Sequence, residues 1–511
     1  MGAMMGAWRF WRRVSRGRAG VLLAGALVAC RPAGGPAAAR LELKPCQLSA
    51  PDLPDRVPAQ CGTLEVDEDR APRSPGSPPS TSQGASKTGR KIRLRVAVLE
   101  ATGARTAQDP LFLLAGGPGQ AATEAFLPAL PAFAALHQHR DLVLVDQRGT
   151  GESNALACPK VEVEKPIETP EAIQAEVRTC LKALSGDPRF YTTPAAMDDL
   201  DDVRAALGYD RINLYGGSYG TRAALVYLRQ HPEHVRAVVL DGVAAPDWLL
   251  GPPMARDAER AIELLWARCA ADPDCHARFP RPSEEFKALL GRLADKPVEL
   301  TVDDPVTAAP TPVKVTRTLL ASTVRLLSYV PATQALLPLL VHTAAGGDLR
   351  AIAAQSLRAR DVVHLSEGMH FAVACSEDFP FYPPDAAESG RGTYVGDAGV
   401  LAYMAGCTIW PRGTLPADYH TPVRGDAPVL LLSGELDPVT PPSNAEQVAL
   451  PLPHARALVA RGEGHGTIRG HCVQRIITQF IERASVSDLD AQCLETPRPT
   501  PFFLGFTGPR P

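Results

Sequence analysis

One serine in the chain is set apart by its neighbours. In the stretch "LYGGSYGTR", residues 214–222, Ser218 lies among Gly216, Gly217 and Gly220. A short apolar run precedes it, and "AALVYLRQH", with helical spacing, follows. A G-x-S-x-G pattern between a strand and a helix is a nucleophile elbow: a tight turn that exposes a hydroxyl and points the first N–H groups of the helix at the reacting centre. The glycines fit, because a side chain at 216 or 220 would collide with the neighbouring strand or helix.

A serine hydroxyl is a poor nucleophile without a base, and the base needs an orienting acid. In a strand–turn–helix setting the chain order is serine, acid, histidine. Asp437 in "LLLSGELDPVTPP" and His465 in "ARGEGHGT" fit that order. Each follows a predicted strand, at the carboxyl end where open α/β sheets place their sites. Glu435 is a rival acid, and His471, beside Cys472 on the predicted last helix, is a rival base. The oxyanion formed by attack needs two backbone donors. One is the amide of Tyr219, directly after the nucleophile. The other falls to "AGGPG", 115–119, where Pro118 has no N–H and Gly117 is the better donor. Such a triad needs no metal and no organic cofactor.

These residues must be held by a frame. "PLFLLAGGPGQ", "DLVLVDQRGTGES", "RINLYGGSYG" and "VRAVVLDGVAAP" are short continuous apolar runs, and helical patterns occur between them. That rhythm predicts buried parallel strands with crossover helices. Ahead of them, "CGTLEVDED" and "KIRLRVAVLEA" alternate like the arms of a hairpin, interrupted by a low-complexity segment over 71–90 that cannot bury a core. From 246 to 425 the strand rhythm is lost and helical patterns such as "DAERAIELLWARCAA" and "ATQALLPLLVHTAAGG" take over. This stretch reads as a cap inserted before the acid-bearing strand. The predicted division is a core over 46–245, a helical cap over 246–425, the rest of the core over 426–495 and an irregular tail over 496–511.

With 511 residues, 45% hydrophobic and 21% charged, the chain has ordinary globular composition. A net charge of −3 carries no nucleic-acid footprint. The N-terminus has a basic region (Arg9, Arg12, Arg13, Arg16, Arg18) and an apolar stretch from Val21 to Ala29. This predicts a secretory signal over 1–29. It ends in "LVAC", which resembles the bacterial lipobox; on that resemblance Cys30 is lipidated and a tether over 30–45 holds the chain at a membrane. The alternative is an ordinary cleaved signal. Of 11 cysteines, ten remain without Cys30, an even number that suits an oxidising compartment. Local spacing favours Cys46–Cys61, Cys158–Cys180, Cys269–Cys275, Cys375–Cys407 and Cys472–Cys493. No CxxC and no zinc-ribbon spacing occurs.

Taken together, "LLAGGPG", "DLVLVDQRGTGES", "LYGGSYGTRAALVYLRQHPEHVRAVVLDGV" and "SGELDPVTPP...GEGHG" resemble the secreted tripeptidyl aminopeptidases and their prolyl aminopeptidase relatives, serine peptidases of the α/β-hydrolase fold. The resemblance extends from about Cys46 to Cys493 and is sparse in the cap. One departure is Ala115, where the prolyl enzymes usually have His before "GGPG". The resemblance implies an exopeptidase whose peptide substrate has a free amino terminus, with acids under a helical cap that hold the ammonium group. Glu377 in "VACSEDFPF" is the first candidate for that role and Glu367 in "LSEGMHF" the second. Asp146 and Arg148 in "DQRGTG" read as braces for the loop beside the site. Two other readings stay open: an esterase or lipase-like hydrolase with the same triad, and a non-catalytic binding lipoprotein, whose signature would be a missing triad member.

Overall fold

A computed structural model of the chain describes residues 41–51, 53–70, 89–159, 169–361, 364–495 and 499–508. The predicted signal, Cys30 and nearly all of the predicted 71–90 segment lie outside the described residues.

The strands are β1 (Lys44–Leu48), β2 (Val57–Asp67), β3 (Lys91–Leu99), β4 (Leu111–Leu114), β5 (Leu142–Val145), β6 (Ile212–Gly217), β7 (Val235–Asp241), β8 (Val298–Asp303), β9 (Pro310–Val315), β10 (Val429–Gly434) and β11 (Ala455–Ala460). One nine-stranded sheet has the order β1-β2-β3-β5-β4-β6-β7-β10-β11. From β5 to β11 every pairing is parallel. The first three strands are antiparallel, and β3 joins them to β5. The hairpin read from alternation is β2–β3, with Leu64 opposite Leu94.

The strands that read as unbroken apolar runs are buried on both faces. Each residue of β4, β5 and β10 is buried. Helices Thr193–Leu207 and Tyr219–Gln230 cover one face through Met197, Leu200 and Tyr227. Helix His471–Arg483 covers the other through Ile476 and Phe480. This is the three-layer α/β-hydrolase arrangement. Burying a Leu or Phe side chain is worth roughly 1.5–3 kcal/mol, so these runs are the main source of cohesion. The strand order reverses around β4, which leaves the carboxyl ends of β4, β6, β7, β10 and β11 together on one edge.

The segment between β7 and β10 is mainly helical and has its own core, with Trp266, Phe286, Leu320 and Leu340 at its centre. Within it β8 and β9 form an antiparallel ribbon that the sequence pattern did not single out. Most ribbon residues alternate with exposed ones, and only Val302, Val313 and Val315 are buried, so no apolar run marks it. Residues 499–508 contain no helix or strand, yet Phe502 is buried against the cap with the Arg268 guanidinium 4.4 Å above its ring.

The five cysteine pairs favoured by spacing are all disulfides. Cys375–Cys407 ties the buried turn Ala374–Asp378 to helix Ala398–Cys407.

Candidate active site

Ser218 stands between β6 and helix Tyr219–Gln230 with φ +56° and ψ −124°. A non-glycine residue held there stores local strain, which the surrounding packing must enforce. The packing is tight because two glycines allow it. A Cβ on Gly220 would lie 2.1 Å from the Leu114 carbonyl oxygen, and one on Gly216 would lie 2.2 Å from the Gly220 carbonyl oxygen. Gly217 is different; its added Cβ would meet nothing nearer than Tyr215 at 3.8 Å.

Asp437 and His465 follow β10 and β11. His465 Nδ1 is 2.8 Å from Asp437 Oδ2, and Thr440 Oγ1 donates to that same oxygen at 2.8 Å. The other oxygen, Oδ1, accepts the amides of Val439 and Thr440 at 2.8 and 2.9 Å. Burial would raise the Asp437 carboxyl, but the imidazole and these donors hold it below its ordinary value. The cap helps to fix this loop and its ring: the His465 backbone N–H donates to the Tyr329 carbonyl at 2.8 Å, and the Tyr329 ring packs edge-to-face with the imidazole at 5.1 Å.

Ser218 and His465 converge on one dipeptide at the end of β7. The Ser218 N–H donates to the Asp241 carbonyl at 2.9 Å, and a Cβ on Gly242 would lie 3.2 Å from His465 Cε1. Among the described residues the Ser218 hydroxyl has no hydrogen-bond partner. The Asp241 carboxylate is buried and saturated by Thr467, Ile468 and the Tyr215 hydroxyl. It anchors the loop that carries His465.

Gly117 and Tyr219 line the same small cavity as Ser218, of about 30 Å³, together with Trp248, Leu250 and Val439. Neither amide N–H of this pair has an acceptor among the described residues, so both are available to an oxyanion. Gly117 has φ +108°, in the range that favours glycine. His370 Nδ1, 3.1 Å from the Pro118 carbonyl, backs this loop from the cap.

The rivals sit apart. Glu435 accepts the Gly462 amide at 2.9 Å, and His471 is exposed at the start of its helix. Glu377, the first candidate for ammonium binding, is fully buried and does not line the cavity. Its oxygens accept the Thr193 amide at 2.6 Å, the Thr193 hydroxyl at 2.9 Å and the Tyr419 hydroxyl, and Arg222 Nη1 is 3.5 Å away. Arg222, which does line the cavity, is also paired with Asp378 at 2.9 Å. Glu367 is exposed at the start of helix Glu367–Val373. Asp146 accepts Thr123, and Arg148 grips Asp199 side-on at 2.7 and 2.8 Å while reaching the carbonyls of Glu68 and Phe190. Both are buried, as braces would be.

Sequence reasoning missed Tyr329, Thr440 and Asp241. Only Asp241 carried a signal, as an acid closing the apolar run "AVVLD". It also missed Asp257, on helix Met254–Ala271. This carboxyl is half-buried and has no hydrogen-bond partner among the described residues; burial, against the pull of Arg260, pushes it up to about 7. Among the described residues one cluster has metal-ligand geometry, Asp201, His231 and His234, but Arg204 already pairs with Asp201 at 2.6 Å.

The chain matches two family models, one described as the alpha/beta hydrolase fold over residues 109–311 and one as TAP-like protein over 393–493. The serine protease Hip1 of Mycobacterium tuberculosis is 26% identical over 89% of this chain and 91% of its own length. The tripeptidyl aminopeptidase of Streptomyces lividans is 31% identical over 37% of this chain and 36% of its own. The proline iminopeptidase of Neisseria meningitidis is 29% identical over 35% and 48%. The elbow, the strand order and these matches agree: the chain is a serine hydrolase of the α/β-hydrolase fold, similar in sequence to the tripeptidyl aminopeptidases and proline iminopeptidases.

Proposed function

We propose that this protein is an exported serine exopeptidase that releases short N-terminal pieces, or single residues, from peptides through an acyl-enzyme. The observation that carries the reading is the buried Asp437–His465 pair set beside an elbow serine whose cavity holds two unpaired amides. Ser218 attacks the scissile carbonyl, and its hydroxyl turns to His465 as substrate seats; such contacts are often loose without substrate. His465 takes the proton and gives it to the leaving amine. Asp437 fixes the ring, and the amides of Gly117 and Tyr219 hold the oxyanion. Water then resolves the acyl-enzyme.

Recognition of the free amino end falls to an acid with open oxygens. Asp257 suits this best, being half-buried, without a hydrogen-bond partner among the described residues and within electrostatic reach of Asp437. Glu367 is a second acid for the same task. Glu377 acts from behind, by holding Thr193, Tyr419 and Arg222. The basic and apolar N-terminus with "LVAC", and five disulfides, support export and lipid attachment at Cys30.

The test compares a tripeptide p-nitroanilide with a free amino end, its acetylated twin and a p-nitrophenyl ester. The proposal expects cleavage of the first, loss of the second, and fluorophosphonate labelling that disappears in Ser218→Ala. Equal turnover of the acetylated twin, or turnover of the ester alone, would favour a small-molecule esterase. Palmitate labelling lost in Cys30→Ser tests the anchor.

A further inference from the structure

Arg325 is the least satisfied cation beside the site. It lies on cap helix Arg317–Leu327, and its Nε and Nη2 are buried without a hydrogen-bond partner among the described residues. Its guanidinium sits 5.7 Å over the ring of Tyr329, and that ring touches His465. Asp257 and Asp437 lie within its electrostatic reach, and neither accepts a hydrogen bond from it. Leaving such donors dry and unpaired is costly, and sites that do so generally serve a ligand.

The two idle atoms are a matched pair. Nε and Nη2 form the side-on fork of a guanidinium, whose spacing fits the two oxygens of a carboxylate. This protein uses that fork elsewhere: Arg148 holds Asp199 through Nε and Nη2 at 2.7 and 2.8 Å, and Arg350 holds Asp348 through the same atoms at 2.9 and 2.7 Å. At Arg325 no carboxylate of the described residues meets the fork. Arg325 does not line the small cavity at Ser218; it stands behind Tyr329, on the part of the cap that meets His465.

We infer that Arg325 is a specificity residue whose side-on fork receives a carboxylate of the peptide substrate. This rests on the peptidase reading above. The carboxylate comes either from an acidic side chain near the scissile bond or from the free C-terminus of a short peptide. Asp257, raised to about 7 by burial, loses its charge below that pH, and its repulsion of an incoming carboxylate falls away there.

The experiment uses the full mature chain and peptides with free amino ends in matched pairs: Glu against Gln at each position flanking the cleaved bond, and C-terminal acid against amide. Products are read by mass spectrometry. Wild type should favour the carboxylate member of one pair by about tenfold or more in kcat/KM, mainly through KM, the size expected of a charge-assisted fork. Which pair discriminates identifies the source. Arg325→Met should erase the preference and leave the neutral peptide within about threefold; Arg325→Lys, which keeps charge but not the fork, should fall between. If the Met variant does not fold, the Lys variant carries the comparison. No preference in wild type, or one unchanged in both variants, overturns the inference. The neutral peptide, cleaved by wild type and not by Ser218→Ala, tests the peptidase reading separately. Should that fail, calorimetric binding of acid and amide peptides to Ser218→Ala still decides the role of Arg325.

Discussion

Asp437 receives His465 on one carboxylate oxygen, and it is held in place through the other. Oδ2 takes Nδ1 at 2.8 Å, while Oδ1 is fixed by the Val439 and Thr440 amides. The acid therefore cannot swing toward another partner, and the ring has one tautomer, with Nε2 left as the base. Asp437→Asn should cost roughly 10³–10⁴-fold in kcat, the scale known for a triad acid, with little change in KM. Glu435→Gln should stay within about threefold, since that side chain serves the Gly462 amide. Steady-state kinetics on one peptide anilide separate the two acids.

The same pair sets the pH response. Burial pulls the His465 imidazole down, but the Asp437 carboxylate outweighs it and leaves the ring above its ordinary value of 6.5. A general base must be neutral, so kcat/KM should rise with pH along a limb lying above 6.5. The sign for stability is opposite: protonated His465 is favoured in the folded state, so its contribution is full below 6.5 and is lost as pH rises through the folded value. Asp437→Asn should move this limb down. A pH–rate profile with the variant checks both.

Much of this was legible in the chain because continuous apolar runs encode burial on both faces directly. β4 to β7 and β10 could be placed from that signal, and the loops at their ends found with the serine motif; β11, at the sheet edge and only partly buried, gives a weaker run. The ribbon β8–β9 was not legible, since its partly exposed residues give no apolar run. Tyr329 acts through its carbonyl and ring, neither of which spacing can reveal. Arg325 and Asp257 sit on amphipathic helices, where a charge reads as a solvated face until the docking of cap on core buries it. Glu377 was singled out by resemblance, and the fold gives its oxygens to Thr193, Tyr419 and Arg222.

That network makes Glu377 a test of structure against recognition. Its carboxylate accepts three strong hydrogen bonds and faces Arg222. Glu377→Gln keeps the shape but removes the charge, and should lower stability by about 1.5–3 kcal/mol. Activity per folded molecule should fall similarly for free and acetylated substrates. A loss confined to free amino ends, with an unchanged melting temperature, would instead make Glu377 the ammonium ligand.

The elbow predicts unequal tolerance among its glycines. Gly220→Ala and Gly216→Ala each drive a methyl into backbone at 2.1 and 2.2 Å. Backbone cannot yield as a side-chain tip can, so each should cost more than about 4 kcal/mol or prevent folding. Gly217→Ala meets only Tyr215 at 3.8 Å and should fold normally. Thermal melts of the three variants, followed by fluorophosphonate labelling, decide this.

Asp257 offers the sharpest separation of function from stability. An acid raised to about 7 in the fold destabilises it as pH climbs from the ordinary carboxyl range through 7, because the unfolded chain gives up that proton more readily. Asp257→Asn should therefore raise the melting temperature at pH 8, by the equivalent of about 1–3 kcal/mol, less than the full shift implies because the side chain keeps some solvent contact. At pH 5 the gain should nearly vanish. If the carboxylate also holds the substrate's ammonium group, the same variant should raise KM for free amino ends about tenfold or more at pH 8. Wild type should show the same KM rise as pH falls below 7 and Asp257 loses its charge. A variant that is more stable yet binds worse would mark a group kept for recognition at the expense of the fold; a variant that is more stable with an unchanged KM would hand the role to Glu367.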